Sequence, residues 1–96
     1  MPKVVWLPEA LQDVARLYEF LAEKSPEAAC KAADRIGYVA RQLEHFPELG
    51  QPMEDGARRQ VFLHFGAGAY VIRYRRDNEG NVVIVRVWHS REQRES

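Results

Sequence analysis

Two helical patterns of apolar residues, separated by only a few residues, constrain this chain more than any other feature. The first pattern runs through about Glu23 and places five large residues on one face: Leu7, Leu11, Val14, Tyr18 and Leu21. The second ends at Pro47 and has this stripe: Ala29, Ala32, Ile36, Val39, Leu43 and Phe46. Between them, Ser25 is a good N-cap and Pro26 suits a first helical position. A connection this short predicts an antiparallel helical hairpin.

Strand patterns lie on both sides of the hairpin. Lys3–Leu7 is short, apolar and rich in β-branched residues, and Pro8 ends it before the first helix. Residues 47–57 hold two Pro and two Gly, which predicts a loop. Three more strand patterns follow: Arg59–Phe65, Ala69–Arg76 and Val82–His89. The segments between these strands have hairpin length, so we predict a three-stranded antiparallel meander.

The predicted fold class is α+β. A short N-terminal strand precedes the antiparallel helical hairpin, and the three-stranded meander packs on that hairpin in a second layer. Alternation along the last strand predicts a valine face of Val83, Val85 and Val87 and a mixed face of Ile84, Arg86 and Trp88. We expect the valine face to cover the hairpin. Residues 1–96 are expected to form a single domain, since this length suits one hydrophobic core.

The charge of the chain is zero overall but unevenly distributed. Residues 1–57 carry six Lys or Arg against ten Asp or Glu, a net charge of −4. Residues 58–96 carry eight Arg against four Asp or Glu, a net charge of +4, and contain no Lys. Arg favours bidentate contacts with carboxylates and phosphates. The second half therefore has the electrostatics of a surface for an anionic partner, or of a solvated strand face without one.

Several kinds of site and location lack their sequence signals. No apolar run approaches the ~18 residues of a membrane span, and no signal peptide is recognisable at the N-terminus. Cys30 is the single cysteine, so a disulfide within the chain is excluded and a reducing cytoplasm is expected. The three histidines are scattered and no phosphate-binding Gly-rich loop occurs. We therefore predict no metal site and no cofactor.

Candidate functional residues concentrate in the second half. His89 ends a strand and has the chemistry of a general acid near neutral pH, or it makes only a structural hydrogen bond. Arg58 and Arg59 follow an acidic loop, where they hold a phosphate or pair with Glu54 and Asp55.

A second candidate cluster lies in the middle strand. Arg73, Arg75 and Arg76 flank Tyr74, an arrangement that either stacks and grips nucleic acid or lines a solvated face. Two further residues are expected to pack: Trp88, with an interface as its alternative role, and Cys30, as a small buried hydrophobe.

Short motifs spread over nearly the whole chain add a family resemblance. In order they are Trp6-x-Pro8, Tyr18, Ser25-Pro26-x-Ala28-Ala29, Leu43-x-x-x-Pro47-x-x-Gly50, Arg58 or Arg59, Tyr70-x-Ile72-x-Tyr74 and Val85-x-Val87-x-His89-x-Arg91. Together they resemble the RelE/ParE superfamily of type II toxin–antitoxin toxins, on the ParE, or plasmid stabilisation, side. The resemblance implies a toxin that a small cognate antitoxin neutralises.

The resemblance leaves two targets to weigh. ParE-like toxins poison DNA gyrase, whereas RelE-like toxins cleave mRNA in the ribosomal A site without a metal. Where RelE-type nucleases place an Arg after the first Tyr of the middle strand, this chain has Val71, and it lacks their lysines at the start of the sheet and a tyrosine after Trp88. Arg91 matches a basic residue of those nucleases that ParE-like members often keep. The comparison favours a binding toxin with gyrase as target.

The resemblance and the charge pattern together predict the sites. Residues expected to bind partners are Arg58, Arg73, Arg75, Arg86, Trp88 and Arg91, with arginines holding an acidic, extended antitoxin segment. Grooves beside the hairpin should take apolar side chains of that segment. If the chain is instead a ribosome-dependent mRNA endonuclease, the catalytic residues are His89, Arg91 and Arg59, and a base would have to come from Glu48 or Glu54. A toxin-like fold without toxicity is the third alternative.

Overall fold

The protein is described from a computed structural model, which covers residues 3–92. Two helices and five strands follow one another in this order: β1 (Val4–Trp6), α1 (Pro8–Ala22), α2 (Pro26–His45), β2 (Gln51–Pro52), β3 (Arg58–Phe65), β4 (Gly68–Arg76) and β5 (Val82–His89). The helices pack on each other, and the hydrophobic core lies between them and the sheet. The predicted α+β fold is confirmed, with every predicted helix and strand within one residue of its expected bounds.

The five strands form one mixed sheet in the order β1-β5-β4-β3-β2. The meander β3–β4–β5 is antiparallel, as predicted, and β1 joins it by running parallel to β5, with Val4 opposite Val82. Strand β2 corrects the prediction of a plain loop over residues 47–57, because Gln51 pairs with Gln60. A pairing of only two residues has no sequence pattern of its own, so its partner strand alone determines it.

Helix α2 buries nearly the stripe that its sequence predicts, whereas α1 is rotated. Ser25 caps α2 by accepting the Ala28 N–H at 3.2 Å. In α1 the buried residues are Ala10, Asp13 and Leu17, while Leu11 and Tyr18 of the predicted stripe are exposed. The buried face of α1 thus contains a charged residue. Apolar periodicity predicts that charged residues face solvent, so it did not predict this rotation of α1.

The predicted valine face of β5 is wrong because the strand contains a β-bulge. Arg73 pairs with Arg86 but the next residue, Tyr74, pairs with Ile84, so Val85 is left out of the register. An extra residue reverses the alternation of side chains beyond it. The β5 residues in the core are consequently Val82, Ile84 and Val87, all fully buried.

Tyr74 anchors the loop after α2 to the sheet. Its buried hydroxyl donates to the Pro47 carbonyl at 2.8 Å and accepts the Gly50 N–H at 2.8 Å. A Cβ on Gly50 would lie 2.8 Å from that hydroxyl, so only glycine fits there. Arg59 completes the anchor, since its Nη1 donates to the Gly50 carbonyl at 2.7 Å. These contacts give a physical reason for the Pro47-x-x-Gly50 motif and for a tyrosine on β4.

Asp13 is the buried charged residue of the described chain and fastens α1 to the open edge of β5. Strand β1 ends opposite Ile84, and beyond that point the carboxylate of Asp13 accepts the Val87 N–H at 2.9 Å. It also accepts from Arg86 Nε at 2.7 Å and from Arg16 Nη1 at 2.6 Å. Burial raises the pKa of Asp13, but the hydrogen bonds from Arg86, Val87 and Arg16 outweigh it, so the pKa lies below the ordinary value of 3.8.

Tyr74→Phe is expected to lower the free energy of unfolding by about 1–3 kcal/mol, because it leaves the buried Gly50 N–H and the Pro47 carbonyl without their partner. Urea denaturation followed by circular dichroism measures this. Tyr38→Phe on α2 is the matched control, since Tyr38 is exposed. Equal stability of the two variants would contradict the anchoring role.

Asp13→Asn is expected to lower the free energy of unfolding at pH 7 by about 2–4 kcal/mol, because it removes a buried charge that two arginines need. A carboxyl with a lowered folded pKa stabilises the fold above its unfolded pKa, and this contribution is lost as pH falls through the folded pKa. The difference between wild type and Asp13→Asn should therefore shrink from about pH 5 downward. Urea titrations at several pH values test this, with the exposed Asp34→Asn as control. A difference independent of pH would reject the charged state of Asp13.

Candidate functional site

A groove with His89 in its wall lies between α1, the β3–β4 turn and the end of β5. It consists of two adjoining cavities of about 300 Å³ and about 540 Å³. The residues that line both cavities are Phe20, Leu21, Tyr70, His89 and Arg91. We call this feature the His89 groove. Its walls are mainly apolar, and Phe20 is 62% exposed at its side, which is a large exposure for an aromatic ring.

Strand pairing places the rings of Tyr70 and His89 together in the His89 groove. Tyr70 near the start of β4 lies opposite His89 at the end of β5, and the ring centroids are 5.2 Å apart in an edge-to-face arrangement. Burial raises the pKa of the Tyr70 hydroxyl, and the charge of Glu92 raises it further. Tyr70 is therefore a neutral hydroxyl at physiological pH.

The imidazole of His89 is held on both sides. Its Nδ1 accepts the backbone N–H of Arg91 at 3.1 Å, so the proton of the neutral ring belongs on Nε2. A Cβ on Gly68 would lie 2.7 Å from Nε2, which shows how closely the ring approaches the β3–β4 turn. The sequence predicted a connection of hairpin length between β3 and β4 but gave no sign of this contact.

Arg16 and Glu92, two of the charged residues that line the His89 groove, were not found from the sequence. Arg16 of α1 donates from Nε and Nη2 to the carboxylate of Glu92, at 3.2 and 3.1 Å. Glu92 also accepts the His89 backbone N–H at 2.8 Å. Arg91, a predicted site residue, lies beside them and donates to the Ala67 carbonyl at 3.3 Å. Asp13 lies inside the apolar pattern of α1, and this position was a weak signal for Asp13 and its partner Arg16. No feature of the sequence indicated Glu92.

Four predicted partner-binding residues lie together on the face of the sheet that points away from the core, which we call the arginine face: Arg58, Arg73, Arg75 and Trp88. Arg58 lies opposite Arg75 in the register. The Arg73 guanidinium is 4.8 Å from the Trp88 ring centroid, a cation–π distance. It also donates to Gln60 Oε1 at 2.9 and 3.1 Å.

At the edge of the arginine face, Arg58 forms the local ion pair that was one of its two sequence interpretations. Its Nε lies 2.6 Å from Asp55 Oδ2. The backbone N–H of Arg58, together with its side chain, lowers the pKa of Asp55 to about 2. Arg58 thus presents a guanidinium that already has a carboxylate partner on one side.

Other sequence-based candidates have different roles in the structure. Tyr74 is buried and therefore cannot stack on a nucleic acid base. Arg86 lies opposite Arg73 in the register, but its guanidinium extends to the β5 edge and hydrogen-bonds to Asp13. Cys30 is exposed instead of buried, with its Sγ 3.6 Å from the Tyr18 hydroxyl, because α2 turns its alanine face and not Cys30 toward the core.

The residues proposed for nuclease chemistry do not converge. His89 and Arg91 share the His89 groove, but Arg59 lies on β3, two strands away, and opposite Tyr74 instead of Tyr70. Strand spacing and rise put the two backbone positions roughly 16 Å apart. Glu48 and Glu54 flank β2, at the far edge of the sheet from β1 and β5.

Residues 3–92 contain neither a metal-ion site nor a membrane-spanning helix. In that part of the chain, no group of three or more His, Cys, Asp or Glu side chains is placed to hold a metal ion. Neither described helix is long and apolar enough to cross a membrane.

The helical hairpin carries a second, shallower groove of about 390 Å³, which we call the hairpin groove. Trp6, Val14 and Ile36 contribute to its lining, and the exposed Leu11 and Tyr18 stand at its rim. The predicted stripe of α1 therefore does form an apolar surface, but one that faces solvent.

Comparisons with known proteins agree with this architecture. The family described as the ParE toxin of the type II toxin–antitoxin system parDE matches residues 4–94. The chain is 37% identical to "Toxin RelE3" of Caulobacter vibrioides over 87 residues, which are 91% of this chain and 92% of that toxin. It is 34% identical to "Toxin RelE1" of the same organism over 85 residues, 88% of this chain and 89% of that toxin.

A solved structure shows the same fold. A chain of the "Chromosomal ParDE TA system from P. aeruginosa" superposes with a TM-score of 0.74 at 21% identity, over 91% of this chain and 94% of that chain. Because the family match spans nearly the whole described fold, this chain belongs to the ParE toxin family of type II toxin–antitoxin systems.

Proposed function

We propose that this toxin acts by binding, that DNA gyrase is its target and that a cognate antitoxin neutralises it. The observation that carries the proposal is the separation of the nuclease candidates. Arg59 is committed to the carbonyls of Glu48 and Gly50, at 3.2 and 2.7 Å, and lies two strands from His89. A binding surface requires only shape and charge, and the chain supplies both on the arginine face and in its grooves.

The chemistry of RNA cleavage supports the same choice. Cleavage without a metal needs a base for the 2′-hydroxyl, an acid for the leaving oxygen and cations for the phosphate charge. His89 supplies an acid and Arg91 a cation. The carboxylate near His89 is Glu92, but Arg16 and the His89 N–H already hydrogen-bond to it. Both oxygens of this carboxylate already accept hydrogen bonds from within the chain, so it is not placed as a free base beside His89.

The antitoxin that we propose carries an acidic, extended segment with apolar side chains. Its acidic residues bind the arginine face, where Arg73 and Arg75 are presented beside Trp88. Its apolar side chains occupy the hairpin groove, on the opposite layer. The molecule is 22 Å across its shortest axis. A segment that joins the two surfaces must pass round the edge of the molecule, so it needs more than the about seven extended residues that would cover this distance in a straight line.

A ribosome-dependent mRNA endonuclease is the second candidate. It is favoured by the shared position of His89 and Arg91 in the His89 groove, and by relatives that carry the name RelE. In that case His89 and Arg91 act on the phosphate, and a second basic residue of the groove, Arg16, replaces Arg59 as the further cation.

Expression of the chain without its antitoxin is expected to stop growth, induce the SOS response and produce linear or relaxed plasmid, because a poisoned gyrase breaks DNA or fails to supercoil it. Plasmid topology on gels and an SOS reporter measure these effects. Primer extension on translated mRNA from the same cells is the parallel measurement. Discrete cuts within codons, lost in His89→Ala, would establish the nuclease and reject the gyrase target. Normal growth would indicate a fold that has lost toxicity.

Arg73→Ala is expected to raise the Kd for the antitoxin encoded beside this chain about tenfold, since loss of an interface arginine costs more than about 1 kcal/mol. Higher salt should slow association of the wild-type proteins, because charge steers the encounter. Surface plasmon resonance at two salt concentrations gives both quantities. Lys31→Ala on α2 is the control, as Lys31 is exposed and lines neither the hairpin groove nor the His89 groove. Unchanged affinity in Arg73→Ala would remove the arginine face from the antitoxin interface.

A further inference from the structure

The Glu92 carboxylate accepts hydrogen bonds from a set of donors whose arrangement suits a carboxylate. Arg16 presents Nε and Nη2 to its two oxygens, at 3.2 and 3.1 Å, and the His89 backbone N–H donates to Oε1 at 2.8 Å. Two parallel guanidinium hydrogen bonds supplemented by a backbone N–H form a typical recognition arrangement for a planar carboxylate. These donors lie at the end of the His89 groove, beside the exposed Phe20.

The charge of this cluster favours an anion even without Glu92. Asp13 hydrogen-bonds to both Arg16 and Arg86, so the three residues together carry one net positive charge. Asp13 is 1% exposed and is part of the core contact between α1 and β5. Glu92 lies on a surface turn after β5 and neutralises the remaining charge. Of the two carboxylates, Glu92 is therefore the one that another anion can replace.

Release of Glu92 costs little free energy. Among residues 3–92, its backbone is held by a turn hydrogen bond from its N–H to the His89 carbonyl at 2.9 Å. The ion pair with Arg16 is partly exposed on both sides, and ion pairs that solvent reaches contribute little to stability. Burial of the apolar groove walls by a partner would favour the exchange.

We propose that Arg16 and the His89 N–H form a carboxylate-binding subsite, which Glu92 fills until an acidic side chain of a partner peptide replaces it. The inference rests on the proposed binding function and specifies the chemistry of the partner. The groove favours a peptide because the walls next to the subsite are apolar, with Leu17, Leu21 and Tyr70 among them. The partner segment thus has an acidic residue next to apolar ones, and Glu92 acts as its internal competitor.

The test compares wild type with Glu92→Ala in ¹H–¹⁵N NMR titrations at constant ionic strength. The probes are acetate and dimethyl phosphate, two monoanions that differ in shape. Acetate is expected to bind Glu92→Ala with a Kd at least tenfold lower than wild type, with its largest chemical shift change at the His89 amide. About tenfold follows if Glu92 fills the subsite nine-tenths of the time, because the apparent affinity scales with the open fraction.

Two variants serve as controls. Glu79→Ala, in the β4–β5 turn, should bind acetate as wild type does, because Glu79 is exposed and distant from the groove. Adding Arg16→Lys to Glu92→Ala should abolish the gain, since lysine keeps the charge but lacks the two parallel donors. Circular dichroism verifies that each variant is folded.

Three results would overturn the subsite: equal acetate affinity in wild type and Glu92→Ala, no effect of adding Arg16→Lys, or tighter binding of dimethyl phosphate than of acetate. The last would assign the site to a nucleic acid phosphate. A chain that poisons gyrase without an acetate gain in Glu92→Ala would keep the proposed function and lose the subsite. A chain that shows the gain but leaves gyrase active would do the reverse.

Discussion

The carboxylate of Asp13 is the interaction on which the rest of this structure depends. Strand β1 covers β5 only as far as Ile84, and from there the β5 edge needs another acceptor for its N–H groups. Asp13 supplies it and gathers Arg86 and Arg16 in the same place. A buried carboxylate without such partners would cost several kcal/mol, so the rotation of α1 is determined by this cluster. Arg16 then positions Glu92, and with it the end of the His89 groove.

The arginines of this chain divide into two groups with different roles. Arg59 and Arg86 bind carbonyls or a carboxylate of their own chain and hold the loop after α2 and the β5 edge. Arg73 and Arg75 lie on the arginine face, where Arg73 also contacts Gln60 and Trp88. A count of arginines in the sequence does not separate these roles, because Arg59 and Arg86 contribute mainly within the fold.

Proteins similar to this chain have two different names. The matching family is described as ParE, and the similar Caulobacter vibrioides toxins are called RelE. A shared fold does not define the target, because targets are chosen by side chains placed on it. The candidate target surfaces of this chain are the arginine face, the hairpin groove and the His89 groove. The proposed gyrase target and the alternative mRNA target would use them differently: the first needs complementary surface, the second a base, an acid and a cation within reach of one phosphate.

The sequence alone determined every element of this protein except β2, because each of the others depends on neighbours along the chain. Apolar periodicity, Ser25-Pro26 and the hairpin-length turns placed both helices and the meander, and ordered motifs indicated the family. Only the tertiary structure decided which face of α1 is buried, where the bulge reverses β5 and which residues surround His89. The buried face of α1 and the place of Glu92 rest on contacts between residues 73 to 76 positions apart, such as Asp13 with Arg86 and Arg16 with Glu92. No local pattern records such pairs, since they exist only when β5 and α1 meet in space.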